Sequence, residues 1–238
     1  MKIAIIGYGK MGKIIESMAI DMGHEIHIVI DKNNADDIKS SQFGSSDVAI
    51  EFTEPDTAVQ NFYSCFNQKV PVVSGTTGWL DNYDEVTEAC NQSGTAFFYA
   101  SNFSIGVNVL FEMNKNLASI MQQFAQYKPL ISETHHVHKK DAPSGTAIHL
   151  AEDLINTHSQ IKRWKKDSSE NRNELPVQSI REGEVFGEHH IFYESDVDIL
   201  ELSHKAKNRK GFALGAIMAA EFIQNKQGIF SMKDMLTI

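Results

Sequence analysis

Three histidines, two lysines and an aspartate fall between positions 135 and 141, inside the segment ETHHVHKKDAPSGTA that runs from Glu133 to Ala147. Four kinds of chemistry draw on such a cluster: metal ligation, acid–base work, anion binding and plain surface solvation. His135, His136 and His138 offer nitrogen ligands, and a His-x-His pair on a strand points both rings to one side. A catalytic zinc site usually takes three protein ligands with an acid among them, and neither an HExxH helix nor a cysteine pair lies nearby. Acid–base chemistry joined to anion binding accounts for more of the segment. Ser144 is placed to cap a helix starting at Gly145 and Thr146, and the N–H groups at that positive end bind carboxylates. Gly145 has no side chain to obstruct a ligand, and Pro143 stiffens the approach. His135 and Lys139 supply protons near neutral pH, the histidine because its unperturbed pKa is about 6.5.

Gly7-Tyr8-Gly9-Lys10-Met11-Gly12 is a GxGxxG turn between a strand-like run, Ile3 to Ile6, and a helix-like one. The first glycine makes a tight turn, the second lets backbone approach a pyrophosphate, and the third lets helix pack closely on strand. The helix N-terminus adds positive charge for the phosphates. Asp31 ends the second strand, where an acid accepts hydrogen bonds from adenosine ribose hydroxyls. The combination predicts bound NADH or NADPH. Asp31 disfavours a 2′-phosphate, while Lys32 beside it attracts one. Two later turns follow strand-like runs: Gly75-Thr76-Thr77 after Val70 to Val73, and Ala100-Ser101-Asn102-Phe103 after Ala96 to Tyr99. Ligands collect at the carboxyl ends of strands in a doubly wound sheet, so each is either a cofactor loop or a structural turn.

The elements needed to position these residues show in the apolar pattern. Strand-like runs at 3–6, 26–30, 48–52, 70–73 and 96–99 alternate with helical spacing at 14–22, 57–66 and 83–90. That alternation predicts an α/β domain with a Rossmann-type, doubly wound parallel sheet. After Phe103 the rhythm changes to a helix over 107–124, a strand over 130–134 and a helix over 146–155. A polar loop is expected over 157–174, then strands over 177–181, 188–193 and 198–203. Helices on one face of a mostly antiparallel sheet, an α+β domain, fit this section. A last helix over 212–222, rich in Ala and Gly, is expected to return to the first domain. The expected division is a dinucleotide-binding domain of residues 1–103 completed by 210–238, and a substrate-binding and oligomerisation domain of residues 104–209.

With 238 residues, 42% hydrophobic and 22% charged, the chain is long enough for a full core. A formal net charge of −9 argues against a nucleic-acid partner and leaves room for a local basic pocket. Cys65 and Cys90 form no CxxC pair, which argues against a disulfide framework or zinc knuckle. The start, MKIAIIGYGKMG, lacks the features of a signal peptide. No apolar run approaches the roughly 20 residues of a membrane span, so a cytoplasmic location without a membrane partner is expected.

The segment from Glu133 resembles the signature of the dihydrodipicolinate reductase family, E-x-H-H-x-x-K-x-D-A-P-S-G-T-A. It matches at Glu133, His135, His136, Lys139 and all of Asp141 to Ala147. Nearly the whole chain is similar to that family, through the glycine turn, EFTEPD at 51–56, SGTTG at 74–78, SNFSIGVNV at 101–109, REGEVFGEHH at 181–190, SHKAKNR at 203–209 and FALGA at 212–216. The resemblance implies reduction of a cyclic dicarboxylate, (2S,4S)-4-hydroxy-2,3,4,5-tetrahydrodipicolinate, to tetrahydrodipicolinate with NADH or NADPH. The reaction belongs to lysine biosynthesis through diaminopimelate and needs no metal. The resemblance also implies that His135 is the proton donor and acceptor and Lys139 a proton donor. It assigns His136, Gly145 and Thr146 to the substrate and Arg209 to a carboxylate. Gly7 to Gly12, Asp31, Gly75 to Thr77 and Ala100 to Phe103 go to the cofactor, and a homotetramer is implied.

Taken without the resemblance, the residues also admit a reductase of another small acid, a nucleotide sensor without catalysis, or a metal hydrolase. If Asp31 meets the ribose, NADH serves at least as well as NADPH. Comparing kcat/KM for the two cofactors checks this, and a strong preference for NADPH contradicts the assignment.

Overall fold

Ile3 and Ile5 pack on one side of β1 (Lys2–Ile6), Ala4 and Ile6 on the other, and all four are almost fully buried. A strand covered on both faces needs apolar residues at every position, hence the unbroken run. The computed structural model describes residues 1–238. It divides into two compact units, Met1–Ile105 with Arg209–Ile238, and Gly106–Asn208. No helix is long and apolar enough to cross a membrane.

In the first unit β1 is followed by α1 (Lys10–Asp21), β2 (Glu25–Ile30), α2 (Ser41–Gly44), β3 (Val48–Glu51), α3 (Pro55–Asn67), β4 (Val72–Ser74), α4 (Tyr83–Ser93) and β5 (Ala96–Tyr99). The second unit holds most of α5 (Ile105–Met121), then β6 (Lys128–His135), α6 (Gly145–Thr157), β7 (Arg163–Lys166), β8 (Glu174–Arg181), β9 (Glu188–Glu194) and β10 (Ile199–Lys205). The chain returns to the first unit with α7 (Lys210–Ile223), β11 (Gly228–Phe230) and α8 (Met232–Leu236).

The first sheet has the order β11-β5-β4-β3-β1-β2, with every pair parallel. The chain moves from β1 to β2 on one side and crosses to β3 on the other, which makes the gap between β1 and β3 the topological switch point. One face carries α1 and α7 over Ile3, Ile5, Ile50 and Phe98. The other carries α3 and α4 residues over Ala4, Ile6, Val72 and Phe97, with Trp79 packed edge-on to Phe62 and Phe97.

The second sheet has the order β10-β9-β6-β8-β7. The expected antiparallel pairing is present at β10–β9 and β9–β6, and two parallel pairs, β6–β8 and β8–β7, extend it. Helices α5 and α6 cover the sheet through Val107, Leu110, Leu150 and Leu154, packed on Ile131, Val177 and Ile191. The buried Asn114 joins the two helices by donating to the Leu150 carbonyl at 2.9 Å.

Two strands depart from the sequence expectation. β7 lies inside the stretch read as a loop; it is an edge strand, RWKK, with only Trp164 half-buried, so it shows no alternation. Its basic residues protect the open edge. β11 has three residues, too few for a period, and pairs with β5 from more than a hundred positions away.

Small residues let α7 lie close to the first sheet: Ala213, Gly215, Ala216, Ala219 and Ala220 are all buried. A Cβ at Gly215 would stand 1.8 Å from the Phe103 carbonyl oxygen. Gly215→Ala is therefore expected to cost about 1–3 kcal/mol of stability. A lower urea midpoint with unchanged slope checks this, and an unchanged midpoint refutes it.

Candidate active site

At the switch point of the first unit, Gly7 adopts φ +94°, and a Cβ there would lie 2.0 Å from the Phe52 carbonyl oxygen. That conformation and that contact restrict the position to glycine. Gly12 faces the Gly7 carbonyl so closely that a Cβ would come within 2.2 Å of its oxygen. Gly9, the N-cap of α1, is different, because a Cβ there would meet nothing within 4 Å. Protein packing explains the first and third glycines; the middle one leaves space, as a pyrophosphate cradle needs. Lys10 and Met11 open α1, and the Tyr8 hydroxyl donates to Glu16. Asp31 follows β2, with one carboxylate oxygen accepting from the Asn33 N–H at 2.8 Å, and Lys32 beside it is exposed.

Glu51, at the end of β3, is fully buried. Its carboxyl accepts from Ser74 Oγ at 2.6 Å, from Thr76 Oγ1 at 2.9 Å and from Thr53 Oγ1. Thr76 Oγ1 also accepts from the Thr53 N–H at 2.8 Å, and Trp79 Nε1 donates to the Thr76 carbonyl at 2.8 Å. Burial raises the Glu51 pKa above the ordinary carboxylate value against the opposing pull of these hydrogen bonds. The Ser74 and Thr76 hydroxyls are thus turned inward, and Thr77 is the exposed hydroxyl of the Gly75-Thr76-Thr77 turn. In the turn after β5, Ala100 and Phe103 are buried and Ser101 is exposed. Phe103 stacks on Phe98 at 5.8 Å and Asn102 Oδ1 accepts from the Ser104 N–H at 2.8 Å. The Phe103 ring is core, so only its backbone is left for a ligand.

In the second unit the histidine segment leaves the end of β6. Glu133 is fully buried, and its Oε1 accepts from the Ser144 N–H at 3.0 Å and from Arg181 Nη2 at 3.1 Å. His135 Nε2 lies 3.3 Å from Oε2, within ion-pair distance but off the line of a hydrogen bond. Burial alone would raise the Glu133 pKa; the contacts with His135 and Ser144 outweigh it and hold the carboxyl well below the usual range. Ser144 caps α6 as expected, its Oγ accepting from the Ala147 N–H at 3.2 Å, so that Gly145 and Thr146 form the first turn. A Cβ at Gly145 would meet nothing within 4 Å.

Lys139 pairs with Asp141 at 2.8 Å. Arg181 also donates to the carbonyls of Lys139 at 3.3 Å and Asp141 at 2.5 Å, which fastens the loop between His135 and Ser144 to β8. His136 and His138 stay outside this cluster, their rings 6.1 Å apart, with His138 turned to Glu184. Arg209 belongs to the first unit, at the N-cap of α7.

Four members of the cluster carry no role in the sequence reading: Glu133, Arg181, Gly187 and His189. His189 lies on β9. It is buried, with its ring 5.2 Å from that of His135 and its Nε2 3.3 Å from Ser144 Oγ. Burial, then the charge of His135, pushes its pKa down to about 3, leaving a neutral imidazole. A Cβ at Gly187 would come within 2.9 Å of the His135 ring, so this glycine makes room for the imidazole. Glu133 and Gly187 belong to segments already quoted, but nothing in their spacing announces burial beside His135.

Glu51→Leu removes the shared acceptor of three hydroxyls that shape the turns after β3 and β4. Leaving such donors unpaired costs about 1–3 kcal/mol each when buried. NADH affinity is expected to fall roughly tenfold or more, the equivalent of about 1.4 kcal/mol. Fluorescence titration with NADH measures it, and unchanged affinity would show that the turns are held by other contacts.

Residues 1–103 match the family described as dihydrodipicolinate reductase, N-terminus, and residues 106–236 match dihydrodipicolinate reductase, C-terminus. The 4-hydroxy-tetrahydrodipicolinate reductase of Christiangramia forsetii is 46% identical over 239 positions, covering 100% of this chain and 98% of that protein. Among solved structures, the dipicolinate-bound dihydrodipicolinate reductase of Paenisporosarcina sp. TG-14 superposes with a TM-score of 0.76 at 22% identity, covering 97% of each chain. The amine dehydrogenase of Mycobacterium smegmatis shares the fold at a TM-score of 0.60 and 12% identity, over 97% of this chain and 94% of that one. With both halves matched and a close relative aligned end to end, the chain belongs to the dihydrodipicolinate reductase family, enzymes that reduce with NADH or NADPH.

Proposed function

We propose that the chain reduces (2S,4S)-4-hydroxy-2,3,4,5-tetrahydrodipicolinate to tetrahydrodipicolinate with NADH or NADPH, a step of lysine biosynthesis through diaminopimelate. The observation that carries this reading is the anchoring of His135 and the Ser144-capped helix start on one buried carboxylate, Glu133. It ties the His135 imidazole and the N-terminus of α6 to the same side chain. In the first unit the glycine turn, Asp31, Lys32, Gly75 to Thr77 and Ala100 to Phe103 hold the cofactor. The reduced nicotinamide supplies the hydride.

Gly145, Thr146 and His136 bind the substrate, and Arg209 takes one of its carboxylates. Fixing both partners removes translational and rotational freedom before reaction, worth several kcal/mol of barrier, up to about 7–11 in the best-oriented cases. The ring loses water and accepts hydride at its carbon 4, and His135 or Lys139 delivers the proton that neutralises the charge developing on the ring. The ion pair with Asp141 at 2.8 Å sets the position of the Lys139 ammonium. A cytoplasmic homotetramer, joined through the second sheet, goes with this reading.

The direct test is loss of NADH absorbance on adding the cyclic substrate, with and without a chelator. Turnover indifferent to chelation supports a metal-free reduction; no turnover with either cofactor overturns the reading. His135→Ala and Lys139→Ala are each expected to lower kcat about 10²-fold while NADH still binds. Arg209→Ala is expected to raise KM chiefly, since a carboxylate grip acts on bound substrate and transition state alike. Near-normal turnover in both single variants removes His135 and Lys139 from the mechanism, and an unchanged KM removes Arg209 from substrate binding.

A further inference from the structure

The three histidines of the signature segment do not share a ligand-binding geometry, but His135 does so with Glu133 of the same segment and His189 of β9. Glu133, His135 and His189 each present one ligand atom, and the three atoms lie within 4.8 Å of one another. Glu133 Oε2 is 3.3 Å from His135 Nε2 and 3.8 Å from His189 Nε2. All three residues are at least nine-tenths buried. Neither Glu133 Oε2 nor His135 Nε2 has a hydrogen-bond partner.

The carboxylate is divided between two tasks. Its Oε1 is occupied by the Ser144 N–H and Arg181, while Oε2 faces two imidazoles without a hydrogen bond to either. Ligand atoms about 3.3 to 3.8 Å apart match neighbouring corners of a tetrahedron with metal–ligand bonds of about 2.0–2.2 Å. Two nitrogens and one oxygen suit zinc or cobalt rather than magnesium or calcium. Three protein ligands leave a fourth position for water. Arg181 and the nearby Lys139 oppose a cation, so binding is expected to be reversible and weaker than at a structural zinc site.

We infer that Glu133, His135 and His189 form an inhibitory site for a zinc-class cation, which on binding takes the lone pair of His135 and blocks proton transfer. The site follows from the geometry alone. The inhibition rests on the function proposed above, so the two are tested separately.

Binding is read by titrating the chelator-treated full chain with Co²⁺ in the absence of substrate. One equivalent per chain is expected, with the intense visible bands of four-coordinate cobalt, and Zn²⁺ should erase them. His189→Asn and His135→Asn should each weaken binding tenfold or more, whereas His136→Asn and His138→Asn should leave it unchanged. Circular dichroism monitors folding, and His135→Asn, at the edge of the cluster, keeps the test decisive if His189→Asn does not fold. Absence of saturable one-to-one binding overturns the site, as does binding lost with His136 or His138 but kept in His135→Asn. In the second arm, Zn²⁺ should abolish NADH oxidation in the wild-type chain and EDTA should restore it. Cobalt bound through the three residues with turnover unaffected by zinc would overturn the inhibition, and with it the proton role of His135.

Discussion

A carboxylate with no access to solvent must find its compensation in the protein, and Glu133 finds it in a cation, a backbone N–H and an imidazole. Removing one partner from such a buried pair costs about 3–5 kcal/mol, because the remaining charge is left unmatched. The constraint reaches well beyond one side chain. His135 ends β6 and Ser144 begins the turn into α6, so both ends of the intervening loop are tied to the same carboxylate. Arg181, the cationic partner, also holds the middle of that loop by donating to the Lys139 and Asp141 carbonyls. The positions of His135, of the Lys139 loop and of the helix N-terminus therefore follow from how one charge is satisfied.

The first unit uses the same device with a different outcome. Glu51 ends β3 and is as deeply buried as Glu133, but its partners are hydroxyls and it meets no cation. Burial drives the Glu51 pKa upward, while at Glu133 the contacts with His135 and Ser144 outweigh burial and drive it down. The neutral donors nevertheless join the turns after β3 and β4. Trp79 completes the arrangement by gripping the Thr76 carbonyl from the core. A buried acid at a strand end thus organises the loops of each unit, one by charge pairing and one by hydroxyl bonding.

Much of this was legible in the sequence, for identifiable reasons. Strands buried on both faces, such as Ile3 to Ile6, and helices with one apolar stripe have periods that a linear reading detects. The glycine turn shows itself through residue type, since Gly7 and Gly12 answer to backbone geometry. β7 and β11 were invisible because one has an almost entirely polar face and the other is three residues long. The turn ending at Phe103 was left open between cofactor loop and structural turn, and its aromatic ring packs in the core between Phe52 and Phe98. Glu133 stood in plain view, but its burial depends on β8 and β9, whose pairing with β6 across some fifty positions no local pattern encodes.

The same long-range pairing gives two neighbouring imidazoles different surroundings. His135 and His189 face one carboxylate oxygen, and residue type alone cannot distinguish them. His189 is enclosed within the sheet, next to His204 on β10 and against the Ser144 hydroxyl, and is held neutral across the physiological range. His135 stands at the end of its strand, beside the loop that carries Lys139, in the space left by the missing side chain of Gly187. Desolvation penalises a proton on the enclosed ring and outweighs the pull of Glu133 on it. In the proposed mechanism the acid–base role goes to His135, at the end of its strand, and the neutral ring of His189 forms the wall beside it.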